Sequence, residues 1–195
     1  MENDLLFTKD ELEKCLADIS SSADICRIFG AYDMAENAYL NRYRRSGAPH
    51  FFHISRICRI IVKELKISEP DLIAASMLQD ILVIGCGINQ EVIEYNFGSY
   101  VSYLIESLTN ENIRQKQREF TLENISELGG PDGLILRLAK SLDNLRYLDF
   151  EFSDNPISYL NSIMTKYFKL SIQTDNPHVR HLIAEIRKES NKLIG

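Results

Sequence analysis

Gln79 and Asp80 are the residues most out of place in this chain, because they interrupt an apolar stretch over residues 72–88. A helix that is apolar on nearly every face is a central one. An amide and a carboxylate there need partners, since an unpaired buried charge is very costly. Two readings follow: a hydrogen-bonded tie between neighbouring helices, or the remains of a ligand pair. His50 and His53 stand three apart, with His50 expected in the loop ahead of Phe51 and His53 at the start of a helix. On a helix that spacing brings two imidazoles to one side, which can suit a metal. A lone histidine at a helix start equally serves as a core or cap residue. His178 and His181 repeat the spacing amid Arg180, Glu185 and Arg187, far from any carboxylate or cysteine cluster, and read as surface residues.

The most basic short stretch is Arg42, Tyr43, Arg44 and Arg45, followed by Ser46 and Gly47. Guanidinium forks pair with phosphate, and their planes stack on bases. The same residues also suit a solvated helix end. Other chemistry is not indicated. There is no G-x-x-x-x-G-K phosphate loop, no G-x-G-x-x-G and no G-x-S-x-G elbow. The four cysteines, Cys15, Cys26, Cys58 and Cys86, form no C-x-x-C pair, so a zinc ribbon or thioredoxin-type site is not indicated.

Helices must position these groups. Thr8 and Glu11 have capping-box spacing before a short helix to about residue 19. Ser21 caps a long one to about residue 44, with Gly30 inside it at a cost of ~1 kcal/mol. A third spans 51–65, where Ile54, Ile57, Cys58 and Ile61 fall at i, i+3, i+4 and i+7. Ser68 caps a fourth over 69–84, ended by Gly85 and Gly87. Further helices are expected over 89–95, 98–108, 113–127, 131–148, 156–172 and 177–193. Pro49, Pro70, Pro131, Pro156 and Pro177 each fall at or just before one of these starts, where the missing N–H costs nothing. No run of strict alternation and no Asn-Gly or Asp-Gly turn argues for strands. The spacing thus predicts an all-α, irregular multi-helix bundle.

At 195 residues and 22.4 kDa, one domain over 1–195 is expected. A net charge of −6 and a pI near 5.3 disfavour general nucleic-acid binding. No segment has the length and apolarity of a membrane span, and the acidic N-terminus does not read as a signal peptide. The expected setting is cytoplasmic, with reduced thiols.

Several blocks, in order, resemble the HD-domain hydrolase half of the RelA/SpoT proteins, and still more the stand-alone small alarmone hydrolases. Arg44-Arg45-Ser46-Gly47-Ala48-Pro49-His50-Phe51-Phe52-His53 is similar to R-[KR]-S-G-E-P-Y-x-x-H, and Ala74-Ala75-Ser76-Met77-Leu78-Gln79-Asp80 to A-A-x-L-H-D. Phe97-Gly98 with Val101 and Leu108-Thr109 resembles F-G-x-x-V up to V-T. Leu138-Ala139-Lys140-Ser141-Leu142-Asp143-Asn144-Leu145-Arg146 resembles L-A-D-[RK]-L-x-N-[ML]-R. The motif-bearing core covers about residues 29–150, with C-terminal helices over 156–193. The resemblance implies an HD-type helical fold, manganese, and a (p)ppGpp 3′-pyrophosphohydrolase ancestry.

It also implies a damaged site. His53 and Asp80 match a histidine and an aspartate of the family's metal set, but the other histidine is Gln79 and the last aspartate is Lys140. A neutral amide is a poor ligand for a hard divalent ion, and an ammonium repels one. The family's Glu-Asp pair, which positions and activates water, is Val83 and Ile84, and hydrocarbons cannot take a proton. Arg44, Arg45, Ser46 and Asn144 match nucleotide-contacting positions, although Ala48 replaces a glutamate and His50 a tyrosine. The expectation is a degenerate, metal-free member without that hydrolysis, acting as a nucleotide-binding or regulatory module toward a guanosine polyphosphate or a protein partner. The alternative is an active Mn²⁺-type phosphohydrolase that uses His53, Asp80 and His50 or Asp143. Lys140 is expected to pair with Asp80, directly or through one water, with His53 or Gln79 completing the network. The competing expectation sends Lys140 to solvent, opposite the Leu138, Leu142 and Leu145 stripe.

Overall fold

The computed structural model describes residues 5–16, 21–84, 86–114, 129–148, 161 and 174–194. Among them are eight α-helices and no β-strand: α1 Lys9–Cys15, α2 Ser22–Ala38, α3 His50–Arg59, α4 Pro70–Leu78, α5 Gln90–Phe97, α6 Ser99–Arg114, α7 Gly130–Arg146 and α8 Pro177–Ile194. The helices expected over 113–127 and 156–172 lie outside the described residues, apart from the last turn of α6 and the single residue Asn161. No described helix is long and apolar enough to cross a membrane.

The ends follow local chemistry. Thr8 and Glu11 close the capping box on α1, Ser21 accepts from the Asp24 amide to start α2, and Asn89 accepts from Val92 to start α5. Each satisfies N–H groups that a helix start leaves without partners. Pro70 and Pro131 occupy the first turns of α4 and α7. Gly129 enters α7 in the left-handed region (φ 82°), where a Cβ would sit 3.3 Å from both Gly133 Cα and Leu104 Cδ2. A side chain there meets strain and contact together.

Three boundaries differ from the periodicity. α2 ends at Ala38 rather than near residue 44, because the chain from Arg42 to His50 folds into a tight hairpin. Arg44 N donates to Ala48 O (2.9 Å), Gly47 N to Arg44 O (2.9 Å) and His50 N to Arg42 O (2.8 Å). α3 starts at His50, and its last turn widens into a π-helix, Ile60–Glu64. α4 stops at Leu78, well before Gly85, and 79–84 continue as turns. The apolar run hides this end, since turns buried on one side are as apolar as helix.

The core explains the order of layers. Every residue from Leu72 to Leu78 is buried, as is α7 from Gly133 to Ala139 and from Ser141 to Leu145. α4 and α7 are therefore the central helices. α2 and α3 pack on α4, α6 touches both α4 and α7, and α8 covers α7. Gly30 faces α5, where a Cβ would meet Phe97 Cε1 at 3.8 Å, an ordinary packing distance, so an alanine fits there. Arg146, at the end of α7, holds Glu64 through both carboxylate oxygens (2.6 and 3.0 Å) and reaches Glu185 of α8 (3.4 Å).

Candidate functional site

Where α4 stops, the turn that follows carries Asp80 into the gap beside α7. Ile81 N donates to Leu78 O (2.9 Å) and Val83 N to Asp80 O (3.0 Å). Lys140 of α7 places its Nζ 2.7 Å from each oxygen of Asp80. The Asp80 side chain is 9% exposed and that of Lys140 20%, so water screens the pair only in part. Burial works against ionising Asp80, yet the Lys140 ammonium and the neighbouring histidines carry its pKa below the ordinary value. The direct pair is the expected one; its surroundings are not. Gln79 turns its amide to Ser76 O (3.1 Å), and it is His50 whose Nε2 lies 4.0 Å from Asp80.

A second buried charge cluster sits one step deeper. His53 Nδ1 is 2.7 Å from Asp143 Oδ2, and Arg56 clasps the same carboxylate through Nε and Nη2 (2.8 Å each). Burial again opposes ionisation of Asp143, but the hydrogen bonds from His53 and Arg56 hold its pKa below the usual carboxylate range. An ionised carboxylate only accepts, so the proton of a neutral His53 is on Nδ1 and the lone pair on Nε2. That Nε2 is buried and has no hydrogen-bond partner among the described residues. Arg56 Cζ also lies over the Tyr147 ring, 3.7 Å from its centroid, and Arg59 donates to the Tyr147 hydroxyl (3.0 Å). Sequence reasoning missed Arg56. Its signal was present: His53 and Arg56 are polar at i and i+3 on a helix whose neighbours Ile54, Ile57 and Cys58 are buried.

His50 belongs to the helix rather than to the loop expected for it. The hairpin carries the chain back to start α3 there, and the ring stacks on Tyr39 (centroids 4.7 Å apart, planes 1° apart). Of the nucleotide positions, the structure brings two together. Arg44 is buried rather than a solvated helix end, and its Nη2 donates to Asn144 Oδ1 (2.9 Å). Arg45 and Ser46 are exposed on the hairpin turn, where Ser46 Oγ accepts from the Ala48 amide (3.4 Å). Val83 is 52% exposed, and Ile84 packs against the core. His181 is exposed and His178 half-buried, away from this centre on α8.

The donor set fits manganese poorly. A carboxylate–histidine pair with a buried lone pair is the arrangement of a metal-ligating imidazole. However, both oxygens of Asp80 are taken by an ammonium, and the Gln79 amide faces the backbone. The centre is also a weak base. A carboxylate held below its ordinary pKa and clasped on both oxygens accepts protons poorly. No protein-family model matches the chain.

Acid is expected to weaken this fold earlier than carboxylates alone would. Burial, then the neighbouring His53, pushes His50 down to about 3, and burial lowers His53 as well. A depressed histidine pKa means that the unfolded chain binds more protons. The stability is therefore complete above ~6.5 and falls as the pH drops from there. Asp80 and Asp143, also depressed, lose their share only as the pH falls below ~3.9. Urea melts at pH 7 and pH 5 should differ by about 2 kcal/mol from His50 alone, near 1.4 kcal/mol per pH unit below ~6.5, with His53 adding in the same direction. Equal stability at the two values contradicts buried neutral histidines.

Proposed function

We propose that this chain is a degenerate HD-domain protein of the alarmone-hydrolase type, acting as a metal-free nucleotide-binding or regulatory module without pyrophosphohydrolase activity. The observation that carries the reading is the Lys140 ammonium 2.7 Å from each oxygen of Asp80. A fixed cation stands against the carboxylate that a divalent ion would otherwise need. The loss of carboxylates at Val83 and Ile84 supports it further, because no residue there can activate water. The ligand class is what the resemblance implies for Arg44, Arg45, Ser46 and Asn144, and guanidinium groups suit the phosphates of a guanosine polyphosphate.

A metal-dependent phosphohydrolase with altered ligands is the second reading. The Nε2 lone pair of His53, oriented by Asp143, favours it. Two tests separate them. Guanosine tetraphosphate should bind more weakly as salt rises, and Arg44→Ala with Arg45→Ala should abolish the binding. Equal binding by variant and parent overturns the nucleotide assignment. In addition, Gln79→His with Lys140→Asp rebuilds the family's four ligands. By calorimetry it should gain Mn²⁺ binding yet stay inert on (p)ppGpp. Hydrolysis by that double variant contradicts the assignment of Val83 and Ile84.

A further inference from the structure

The chain ahead of α1, Leu5 to Thr8, is built into the bundle. Phe7 is fully buried, its N–H donates to Ser55 Oγ (3.1 Å), and its carbonyl accepts from the Tyr32 hydroxyl (3.1 Å). Lys63 sits over its ring at 4.9 Å and reaches Glu11 (3.3 Å). One further bond leads inward: Arg56 Nη1 donates to Leu5 O (3.3 Å). The Nε–Nη2 edge of that guanidinium holds both oxygens of Asp143, and Asp143 holds His53 Nδ1. A planar fork cannot turn toward one partner without leaving the other.

We infer that the N-terminal arm and the His53 centre form one cooperative unit, joined through Arg56. Arg56 is a positioning residue: it acts on His53 only through Asp143, and it reads the arm only through the Leu5 carbonyl. Withdrawing the arm frees one face of the fork and loosens the carboxylate that fixes the His53 tautomer. Reorienting His53 loosens the arm by the same factor, since coupling between two sites is reciprocal. The state of the arm thus bears on the centre, and the state of the centre on the arm. The inference stands on packing and hydrogen bonds and does not depend on which ligand the centre takes.

Amide exchange and histidine ¹⁵N spectra on the full chain test it in both directions. Asp143→Asn perturbs the centre without touching the arm. It should speed exchange of the Phe7 amide about tenfold relative to Ile93 in α5, whereas a general loss of stability moves both alike. Ser55→Ala perturbs the arm without touching the centre. It should shift the His53 ring nitrogens toward a mixture of tautomers. If Asp143→Asn does not fold, Ser55→Ala decides alone. A Phe7 amide that loses protection while the His53 spectrum stays that of the parent overturns the coupling, as does Phe7 exchange that keeps pace with Ile93 in Asp143→Asn.

Discussion

Lys140→Met is expected to cost about 3 kcal/mol or more in urea unfolding, because it leaves the Asp80 carboxylate buried without its counter-charge. Methionine fills much the same volume, so the loss reports charge rather than a cavity. Asp80→Asn alone strands the lysine less severely, since Lys140 is the more exposed partner and can swing its ammonium toward water. The double variant should recover most of the loss, with a coupling on the order of 2 kcal/mol. Strictly additive effects would mean that the pair contributes nothing and that Lys140 lives in solvent.

This pair was legible from sequence for a physical reason. A carboxylate in a buried apolar stretch demands compensation, and Lys140 was the cation at the position that the resemblance places opposite it. Most helix starts were legible too, because capping residues and first-turn prolines are local signals; Ser68 is an exception, since Glu69 is the N-cap of α4 and no side chain caps it. Less accessible was the hairpin over 42–50. Its hydrogen bonds run between backbone groups, and no Asn-Gly type turn announces it, so Arg44 read either as a nucleotide-contacting group or as a solvated helix end, and His50 as loop. The end of α4 at Leu78 was hidden for a related reason: the turns after it are nearly as apolar as the helix, and periodicity does not see the change. Arg56 and Asp143 were each visible as charges among apolar neighbours. Their meeting depends on how α3 crosses α7, which a one-dimensional pattern does not contain.

Asp143→Ala is expected to cost more than any surface change, about 3–5 kcal/mol, because it abandons Arg56 at 3% exposure and removes the acceptor for His53 Nδ1. The comparison that isolates charge is Asp143→Leu combined with Arg56→Met. It removes both ions and replaces them with apolar groups, so it should recover the part of the loss that is charge while the lost acceptor of His53 Nδ1 remains. Thermal and urea unfolding should therefore rank the single variant well below the double one. A single variant within about 1 kcal/mol of the parent contradicts a buried, mutually dependent pair.

In the proposed function, Lys140 stands in the place of a metal and hydrolysis is lost with it. Equilibrium binding of guanosine tetraphosphate, measured in EDTA and again in excess Mn²⁺ with the nucleotide recovered and chromatographed, tests that claim most directly. The prediction is binding that persists in EDTA and nucleotide that stays intact in both buffers. Binding that requires Mn²⁺, or release of pyrophosphate that disappears in His53→Ala and Asp80→Ala, would contradict it.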